Sequence, residues 1–315
     1  MNNILLPFPD SVAMANSLSQ ETGISLGALC WRRFPDGESL ITVDEGVQGK
    51  DVALLSSLRD PDVQALALRF TAATARELGA RSVGLIAPYL AYMRQDRRFH
   101  PGEAVSAPLF ARFLQESFDW LLTVDPHLHR NPSLDVLFDI PAVNVPAAPA
   151  IAEWLSRECP DALLIGPDSE SAQWVAEIAE RAGVPHQVLN KQRLGDREVH
   201  ISLPDPSGAA GRRPVIVDDI AASGETLAEA IRQLAAQGLT APTVIVIHAV
   251  FAGDALQRIE RAGAERVLSC DTIPHPSNAI ALAPWLAPAL RDLLVGQHAS
   301  TDHRGTRKTA LGSQP

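Results

Sequence analysis

The sequence predicts an α/β fold with two similar doubly wound domains, each built on a parallel sheet. Short β-branched or Leu-rich runs alternate with longer amphipathic segments, which is the pattern of strands joined by helical crossovers. The chain has 315 residues, of which 46% are hydrophobic, enough for one large or two medium domains. A Pro/Ala-rich stretch, Asn144–Pro149, separates two runs of such βαβ units.

The strands and helices are predicted from these runs. The runs with strand character are Asn3–Pro7, Asp51–Leu55, Ser82–Ile86, Trp120–Val124, Ala142–Asn144, Ala162–Gly166, His186–Val188, Pro214–Val217, Thr243–His248 and Arg266–Ser269. The runs with helical character are Asp10–Glu21, Pro61–Leu78, Ala104–Glu116, Ala147–Arg157, Ser169–Ala182, Gly224–Gln237 and Ala255–Ala262. In the second of these helices, Val63, Leu66, Phe70 and Ala73 fall on one stripe, the spacing of a core-facing helix.

The junction near Pro146 divides the chain into a first domain, residues 1–146, and a second domain, residues 147–297. Residues 298–315 contain no large hydrophobic residue apart from Leu311, so we expect a mobile tail there. Repetition of residues between the two halves is too faint to establish a duplication.

Composition and charge exclude several classes of function. The formal net charge of −10 argues against binding to DNA or RNA, which favours a basic face. The N-terminus does not resemble a signal peptide, and no apolar run reaches the length of a membrane span, so we expect a cytoplasmic protein. The three cysteines are far apart and form no C-x-x-C pair, which favours buried thiols over metal or redox chemistry.

The strongest local signal is the segment Pro214–Thr226, which has the sequence PVIVDDIAASGET. A hydrophobic strand leads into Asp218 and Asp219, and a short polar turn then leads into a helix. In a parallel sheet, ligands bind just past the carboxyl ends of the strands. Free N–H groups at the helix start, with the Ser223 and Thr226 hydroxyls, suit a phosphate monoester, and the two carboxylates suit ribose hydroxyls, directly or through Mg²⁺. An ordinary N-capped helix is the plain alternative, which the double Asp after a strand disfavours.

This segment resembles the phosphoribosyl-diphosphate binding loop shared by phosphoribosyltransferases and the synthases of their substrate. Five further blocks narrow the resemblance to the ribose-phosphate diphosphokinase family. They are Arg33–Glu38 (RFPDGE), Pro88–Arg97 (PYLAYMRQDR), Asp125–His127 (DPH), Asn190–Arg193 (NKQR) with Glu198 and Val199 following, and Asp271–Pro274 (DTIP). Their order and spacing are those of the family, and the resemblance covers about Ile4 to Ala287.

The resemblance implies transfer of the β,γ-diphosphate of Mg-ATP to the C1 hydroxyl of ribose 5-phosphate. It implies phosphoribosyltransferase-like domains, the first with the ATP-binding loops and the oligomer contacts, the second with the ribose 5-phosphate loop and a catalytic lid. The implied ATP-binding residues are Phe34, Asp36, Glu38, Arg94, Gln95 and Arg97. The first three come from a neighbouring subunit, so the resemblance implies a homo-oligomer, a dimer or higher, with shared active sites. The implied ribose 5-phosphate residues are Asp218, Asp219, Ala222, Ser223, Gly224, Glu225 and Thr226.

Lys191 and Arg193 are the predicted catalytic residues, on a flexible loop over Asn190–Arg197. Diphosphoryl transfer spreads negative charge over the phosphoryl oxygens and the departing AMP, and mobile cations that close over them would stabilise it. The resemblance also places His127 and Asp168 in the shell of Mg²⁺, the expected cofactor. The D-x-H-x-H spacing after the fourth strand could suggest zinc, but no further ligand cluster accompanies it.

Two departures from the family pattern leave alternatives open. Glu170 stands where many relatives have small residues, and Ala222 stands where many have Asp. A related kinase with another sugar phosphate or another donor is therefore one alternative. A non-catalytic homologue that assembles with a true synthase is a second, and a phosphoribosyltransferase is a third, disfavoured by the Arg94–Gln95 and F-x-D-G-E elements.

Overall fold

The computed structural model describes residues 2–43, 45–128, 133–193, 199–202, 205 and 211–305, with the backbone alone for 45, 190–193, 199–202 and 297–305. The chain forms two compact units. Unit 1 comprises Met1–Val145 with the segment that begins at Ala283, and unit 2 comprises Pro146–Leu282. None of the described helices is both long and apolar enough to cross a membrane.

Each unit is built on a six-stranded sheet in which all neighbouring strands are parallel. In unit 1 the strands are β1 (Asn3–Pro7), β2 (Ser25–Leu26), β5 (Asp51–Leu55), β6 (Ser82–Ala87), β7 (Leu121–Val124) and β8 (Ala142–Val145), in the order β2-β1-β5-β6-β7-β8. In unit 2 they are β9 (Ala162–Gly166), β10 (His186–Val188), β13 (Arg213–Ile220), β14 (Thr243–His248), β15 (Arg266–Cys270) and β16 (Asn278–Ile280), in the order β10-β9-β13-β14-β15-β16.

An antiparallel hairpin is inserted into each unit at the same point of the topology. Strands β3 (Leu29–Arg33) and β4 (Ser39–Val43) pair between β2 and β5, and strands β11 (Asn190–Arg193) and β12 (Val199–Ser202) pair between β10 and β13. The two sheets therefore share one strand order and one insertion. This common topology supports the duplication that the sequence alone leaves open.

Helices connect the strands in the crossover arrangement that parallel pairing requires. They are α1 (Val12–Thr22), α2 (Pro61–Glu77), α3 (Ser106–Gln115), α4 (Ala148–Glu158), α5 (Ala172–Ala182), α6 (Glu225–Ala236), α7 (Ala255–Arg261) and α8 (Ala283–Gly305). Helix α4 packs on α5 within unit 2, and helix α8 packs on α1 within unit 1.

The predicted fold class is confirmed, and several elements differ from the prediction. Sequence reasoning missed both hairpins, the short strands β2 and β16, and helix α8. Helix α8 runs through the first part of the predicted tail, as far as Gly305, and belongs to unit 1 rather than to the second domain. Residues 306–315, the rest of the predicted tail, lie outside the described residues.

The predicted core-facing stripe of helix α2 is wrong. Val63, Leu66 and Phe70 are 44%, 57% and 47% exposed, and Ala73 is also exposed. The buried face consists instead of smaller residues together with one leucine and two polar residues: Gln64, Ala67, Leu68, Thr71, Ala72 and Ala75. Small side chains allow the helix to approach the sheet closely, so the larger apolar stripe is left on the outer face.

Gly84 in β6 is a position where any side chain would collide with the core. A Cβ atom there would lie 1.8 Å from a ring atom of the fully buried Trp120. We expect Gly84→Ala to lower the free energy of unfolding by about 3 kcal/mol, because the indole cannot move aside in a close-packed sheet. Urea unfolding followed by circular dichroism measures this loss.

Gly296 is the matched control for that substitution, since no heavy atom lies within 4 Å of its Cβ position in helix α8. Gly296→Ala should leave stability unchanged or raise it slightly, because alanine is the better helix former. Equal stabilities of the two variants would contradict the packing described for β6.

Candidate active site

The turn after β13 has the geometry of an anion-binding site. Strand β13 extends to Ile220, so Asp218 and Asp219 lie inside the strand, beyond its predicted end at Val217. Asp219 is 7% exposed and Asp218 is half-buried. The turn that follows leads directly into α6, whose first residues carry N–H groups without partners inside the helix.

Backbone hydrogen bonds hold this turn in place. Ala221 donates to the His248 carbonyl (3.2 Å) and accepts from Phe251 N–H (2.8 Å), and Ala222 accepts from Ala252 N–H (2.9 Å). The loop after β14 thus braces both alanines. The absence of a carboxylate at Ala222 leaves this bracing intact, because it uses backbone atoms alone.

Gly224 satisfies two separate requirements of the turn. Its φ is +73°, in the left-handed region that glycine adopts at low cost. A Cβ atom there would also lie 2.8 Å from the Ala255 carbonyl oxygen. Ser223, Glu225 and Thr226 are exposed at the start of α6, so their N–H and hydroxyl groups can reach a ligand.

The carboxylates beside the turn repel one another. Burial, followed by the negative charges of Asp219 and Asp168, raises the pKa of Asp218 well above its usual range. The side chain of Asp168 accepts N–H bonds from Glu170 (3.0 Å) and Ser171 (3.2 Å), which fixes it at the carboxyl end of β9. Within unit 2 the structure therefore brings Asp168, Asp218 and Asp219 together.

No preformed cage for a metal ion is present in the part of the chain that the structure describes. Across that part, no three His, Cys, Asp or Glu side chains are grouped so that they could hold an ion by themselves. The oxygen donors of Asp168 and Asp218 nevertheless fit Mg²⁺, which is usually held by one or two carboxylates together with substrate phosphates.

Left-handed backbone marks the carboxyl ends of three sheet strands. Asp125 (φ 34°) and His127 (φ 56°) follow β7, Tyr92 (φ 67°) follows β6, and Phe251 (φ 36°) follows β14. Such conformations are costly for residues other than glycine and cluster at functional sites. The predicted D-x-H block thus lies on strained backbone, and His127 is half-buried there.

The predicted ATP-binding cations lie on the long loop between β6 and α3. Arg94 and Arg97 are exposed, and Gln95 is fixed through its carbonyl, which accepts the Ala107 N–H at 3.1 Å. Among the described residues, Arg94 makes no ion pair, whereas the Arg97 guanidinium lies 4.9 Å from the centre of the Phe99 ring. Both arginines are exposed to solvent, and their binding of ATP stays a prediction.

Phe34, Asp36 and Glu38 form the tip of the β3–β4 hairpin. Phe34 N–H donates to the Glu38 carbonyl (2.8 Å), and Gly37 takes the left-handed φ of +94° that the turn requires. The Arg32 guanidinium covers the Phe34 ring at 4.7 Å. All three predicted residues are exposed to solvent, as expected for groups that serve a neighbouring molecule.

Lys191 and Arg193 lie in strand β11, which pairs with β12 in the register Lys191↔Ile201 and Arg193↔Val199. The segment predicted as a flexible loop is therefore a hairpin at its base. The two residues are therefore two positions apart in a paired strand. Residues 194–198, which include the rest of that predicted loop, lie outside the described residues.

Comparison with known proteins decides the family. Residues 4–117 match the N-terminal domain of ribose phosphate pyrophosphokinase, and residues 142–283 match the phosphoribosyl transferase domain. A ribose-phosphate pyrophosphokinase of Methanopyrus kandleri is 36% identical over 92% of this chain and 99% of its own length. The chain belongs to the ribose-phosphate pyrophosphokinase family.

Further relatives agree with this assignment. A ribose-phosphate pyrophosphokinase of Halobacterium salinarum is 34% identical over 91% of this chain and 100% of its own. The crystal structure of phosphoribosylpyrophosphate synthetase from Mycobacterium smegmatis has a TM-score of 0.82 over 94% of this chain and 100% of its own, at 24% identity, which supports the fold. The predicted family and diphosphokinase activity are confirmed.

A buried polar cluster that sequence reasoning did not single out lies beside the site. His248 Nδ1 and Thr272 Oγ1 are 2.9 Å apart, and Thr272 donates to the Ile247 carbonyl at 2.8 Å. Since the Thr272 hydroxyl already donates, His248 Nδ1 carries the proton and donates to it. His248 ends a hydrophobic strand, and this position in the sequence could have identified it as a candidate for a buried polar contact. The pair ties the end of β14 to the DTIP block.

Asp271 in this block has a pKa raised to about 6 by burial, although Leu282 N–H donates to it at 2.9 Å. A raised pKa means that the folded state holds the proton more tightly than the unfolded chain. The associated stability is therefore present below about pH 4 and is lost as the pH rises to about 6.

We expect Asp271→Asn to remove that loss, which is on the order of 2 kcal/mol. Urea unfolding of both proteins at pH 4.5 and pH 6.5 measures it, and the variant should gain stability relative to the wild type at the higher pH. If the difference in free energy of unfolding between the variant and the wild type were the same at both pH values, the raised pKa of Asp271 would be contradicted.

Proposed function

We propose that this chain transfers the β,γ-diphosphate of Mg-ATP to the C1 hydroxyl of ribose 5-phosphate, giving 5-phosphoribosyl 1-diphosphate and AMP. The observation that carries the proposal is the braced turn after β13, with two aspartates before it and the N-terminus of α6 behind it. One compact site thus offers carboxylates for sugar hydroxyls and N–H donors for a phosphate.

The sugar phosphate binds along this turn. Its phosphate accepts bonds from the backbone of Ala222–Thr226 and from the hydroxyls of Ser223 and Thr226, at the positive end of the α6 dipole. Its ribose hydroxyls contact Asp218 and Asp219. Charge-assisted bonds of this kind orient the C1 hydroxyl, so that positioning supplies a large part of the barrier reduction.

Asp168 and Asp218 are the residues of unit 2 that would hold Mg²⁺. Burial and then the neighbouring carboxylates raise the pKa of Asp218, which supports this, because a bound cation offsets both costs of the charged form. When bound, Mg²⁺ neutralises charge on the transferred diphosphate.

ATP binds through Arg94, Gln95 and Arg97, whose guanidinium groups suit phosphate oxygens better than lysine does. Phe34, Asp36 and Glu38 complete the ATP site of a neighbouring subunit in a homo-oligomer, a dimer or higher. The solvent-exposed tip of the β3–β4 hairpin supports this arrangement. The exposed apolar stripe of α2 is also consistent with self-association.

The reaction is an in-line displacement. The C1 oxygen attacks the β-phosphorus, the bond from that phosphorus to the AMP oxygen breaks, and the hydroxyl proton leaves to solvent. Lys191 and Arg193 stabilise the charge on the transferred group and on AMP when their hairpin closes over them. Positioning and charge neutralisation make a dedicated histidine base unnecessary.

A second candidate is a related kinase that uses another sugar phosphate. Glu170 adds an exposed carboxylate next to Asp168 and Ala222 removes one from the turn, so the charge around the sugar differs from the family pattern. The retention of Lys191, Arg193, Asp218 and Asp219 disfavours a non-catalytic homologue, which could have lost them without consequence.

AMP release measured with a panel of sugar phosphates and nucleoside triphosphates tests this choice. Ribose 5-phosphate with ATP should give the highest kcat/KM. A higher value with another sugar or donor would replace the proposed substrate pair, and no release with any pair would favour the non-catalytic homologue.

A further inference from the structure

Glu225 places a carboxylate at the start of the proposed phosphate-binding turn. It is the first residue of α6, and its N–H lies 3.4 Å from Ser223 Oγ. Its side chain is 63% exposed, so burial does not hold it in one place. A carboxylate at this position is stabilised by the helix dipole, but it competes with a bound phosphate for the same N–H groups.

Arg258 of helix α7 forms an ion pair with Glu225. Arg258 also forms an ion pair with Asp254, the residue that precedes α7, at 2.9 Å. The close approach of the two helices makes the pair possible, since Gly224 abuts the Ala255 carbonyl and Arg258 lies one turn further along α7. The Arg258 side chain is 32% exposed and thus partly shielded from water.

We propose that Arg258 is a positioning residue that holds the Glu225 carboxylate away from the phosphate-binding turn and so sets the affinity for ribose 5-phosphate. The inference rests on the proposed function of that turn. Without Arg258, the Glu225 carboxylate is uncompensated at the start of α6, beside the proposed site of a dianionic phosphate. Repulsion by a nearby partly exposed charge weakens binding by about tenfold.

Steady-state kinetics of Arg258→Gln tests the proposal. The KM for ribose 5-phosphate should rise about tenfold, while kcat and the KM for ATP stay within about twofold, because the substitution alters only the binding of the sugar phosphate. Raising the salt concentration should reduce the increase, since ions screen the exposed carboxylate. An unchanged KM for ribose 5-phosphate in this variant overturns the proposal.

A double substitution separates this role from a purely structural one. In the Glu225→Gln background, Arg258→Gln should no longer raise the KM, whereas in the Asp254→Asn background the increase should persist. Arg232 pairs with Glu229 on α6 at 2.7 Å and provides the matched control. Arg232→Gln should leave the KM unchanged, and an equal rise there would show a general effect of lost ion pairs and overturn the proposal.

The wild-type protein distinguishes failure of this inference from failure of the proposed function. If the wild-type protein turns over ribose 5-phosphate and the Arg258→Gln variant has the same KM, only the role of Arg258 is contradicted. Absence of wild-type turnover contradicts the proposed function. In that case, titration calorimetry with ribose 5-phosphate decides the role of Arg258: weaker binding to the variant supports it, and equal or absent binding overturns it.

Discussion

Lys191→Ala is expected to lower kcat by about 10³-fold and to leave the KM for ribose 5-phosphate within about threefold. The lysine is proposed to act on charge that develops in the transition state, and such interactions commonly contribute several kcal/mol to catalysis. The proposed ribose 5-phosphate site lies on the separate turn after β13, so binding of the sugar should persist. Initial-rate kinetics with both substrates varied measures the two parameters.

Gln192 provides the matched control for this substitution. It lies between Lys191 and Arg193 in strand β11, where it pairs with His200. Because its amide carries no charge that could stabilise the transition state, Gln192→Ala should keep kcat within about twofold. If Lys191→Ala raised the KM for ribose 5-phosphate by as large a factor as it lowered kcat, a role confined to the transition state would be contradicted.

Asp218→Asn is expected to lower kcat/KM for ribose 5-phosphate by about 10²-fold and to raise the Mg²⁺ concentration needed for half-maximal activity. The carboxylate would contact both the sugar and the ion, and each charge-assisted bond contributes roughly 1.5–3 kcal/mol. Kinetics at several fixed Mg²⁺ concentrations separates the two effects.

Asp161 is the control at the opposite end of the same sheet. It pairs with Arg213 at 2.6 Å on the amino-terminal side of β9 and β13, away from the expected ligand edge. Asp161→Asn should leave kcat/KM unchanged. If the two variants had the same kcat/KM for ribose 5-phosphate, the proposed site at the carboxyl end of β13 would be contradicted.

The sequence was sufficient to predict the two parallel sheets because their strands are continuous apolar runs. The segment Val215–Val217 is fully buried, and the adjacent Asp218 and Asp219 lie near the carboxyl end of the strand, so the fold and a candidate site could be predicted together. The β3–β4 hairpin was missed because its residues are mostly exposed and mixed in character. Its Pro35–Gly37 turn was a signal that could have been used.

The stripe on α2 shows where periodicity fails. Apolar spacing identifies an amphipathic face but does not tell which of two apolar faces meets the sheet, and here the alanine-rich face does. The Arg258–Glu225 pair was equally beyond the sequence, since the two residues are 33 positions apart and meet only because α6 and α7 pack together.

The shared topology of the two units adds a relation that faint sequence similarity concealed. The hairpin that carries Phe34, Asp36 and Glu38 and the hairpin that carries Lys191 and Arg193 occupy equivalent insertions. The first hairpin has an aromatic and acidic tip, whereas the described strand of the second contains a lysine and an arginine.

Phosphorus NMR of the purified protein with Mg-ATP and ribose 5-phosphate tests the proposed reaction most directly. The proposal predicts that AMP appears together with a new sugar diphosphate, and that both signals are absent with the Lys191→Ala variant. ATP that stays intact, or that is consumed without formation of a sugar diphosphate, would contradict it.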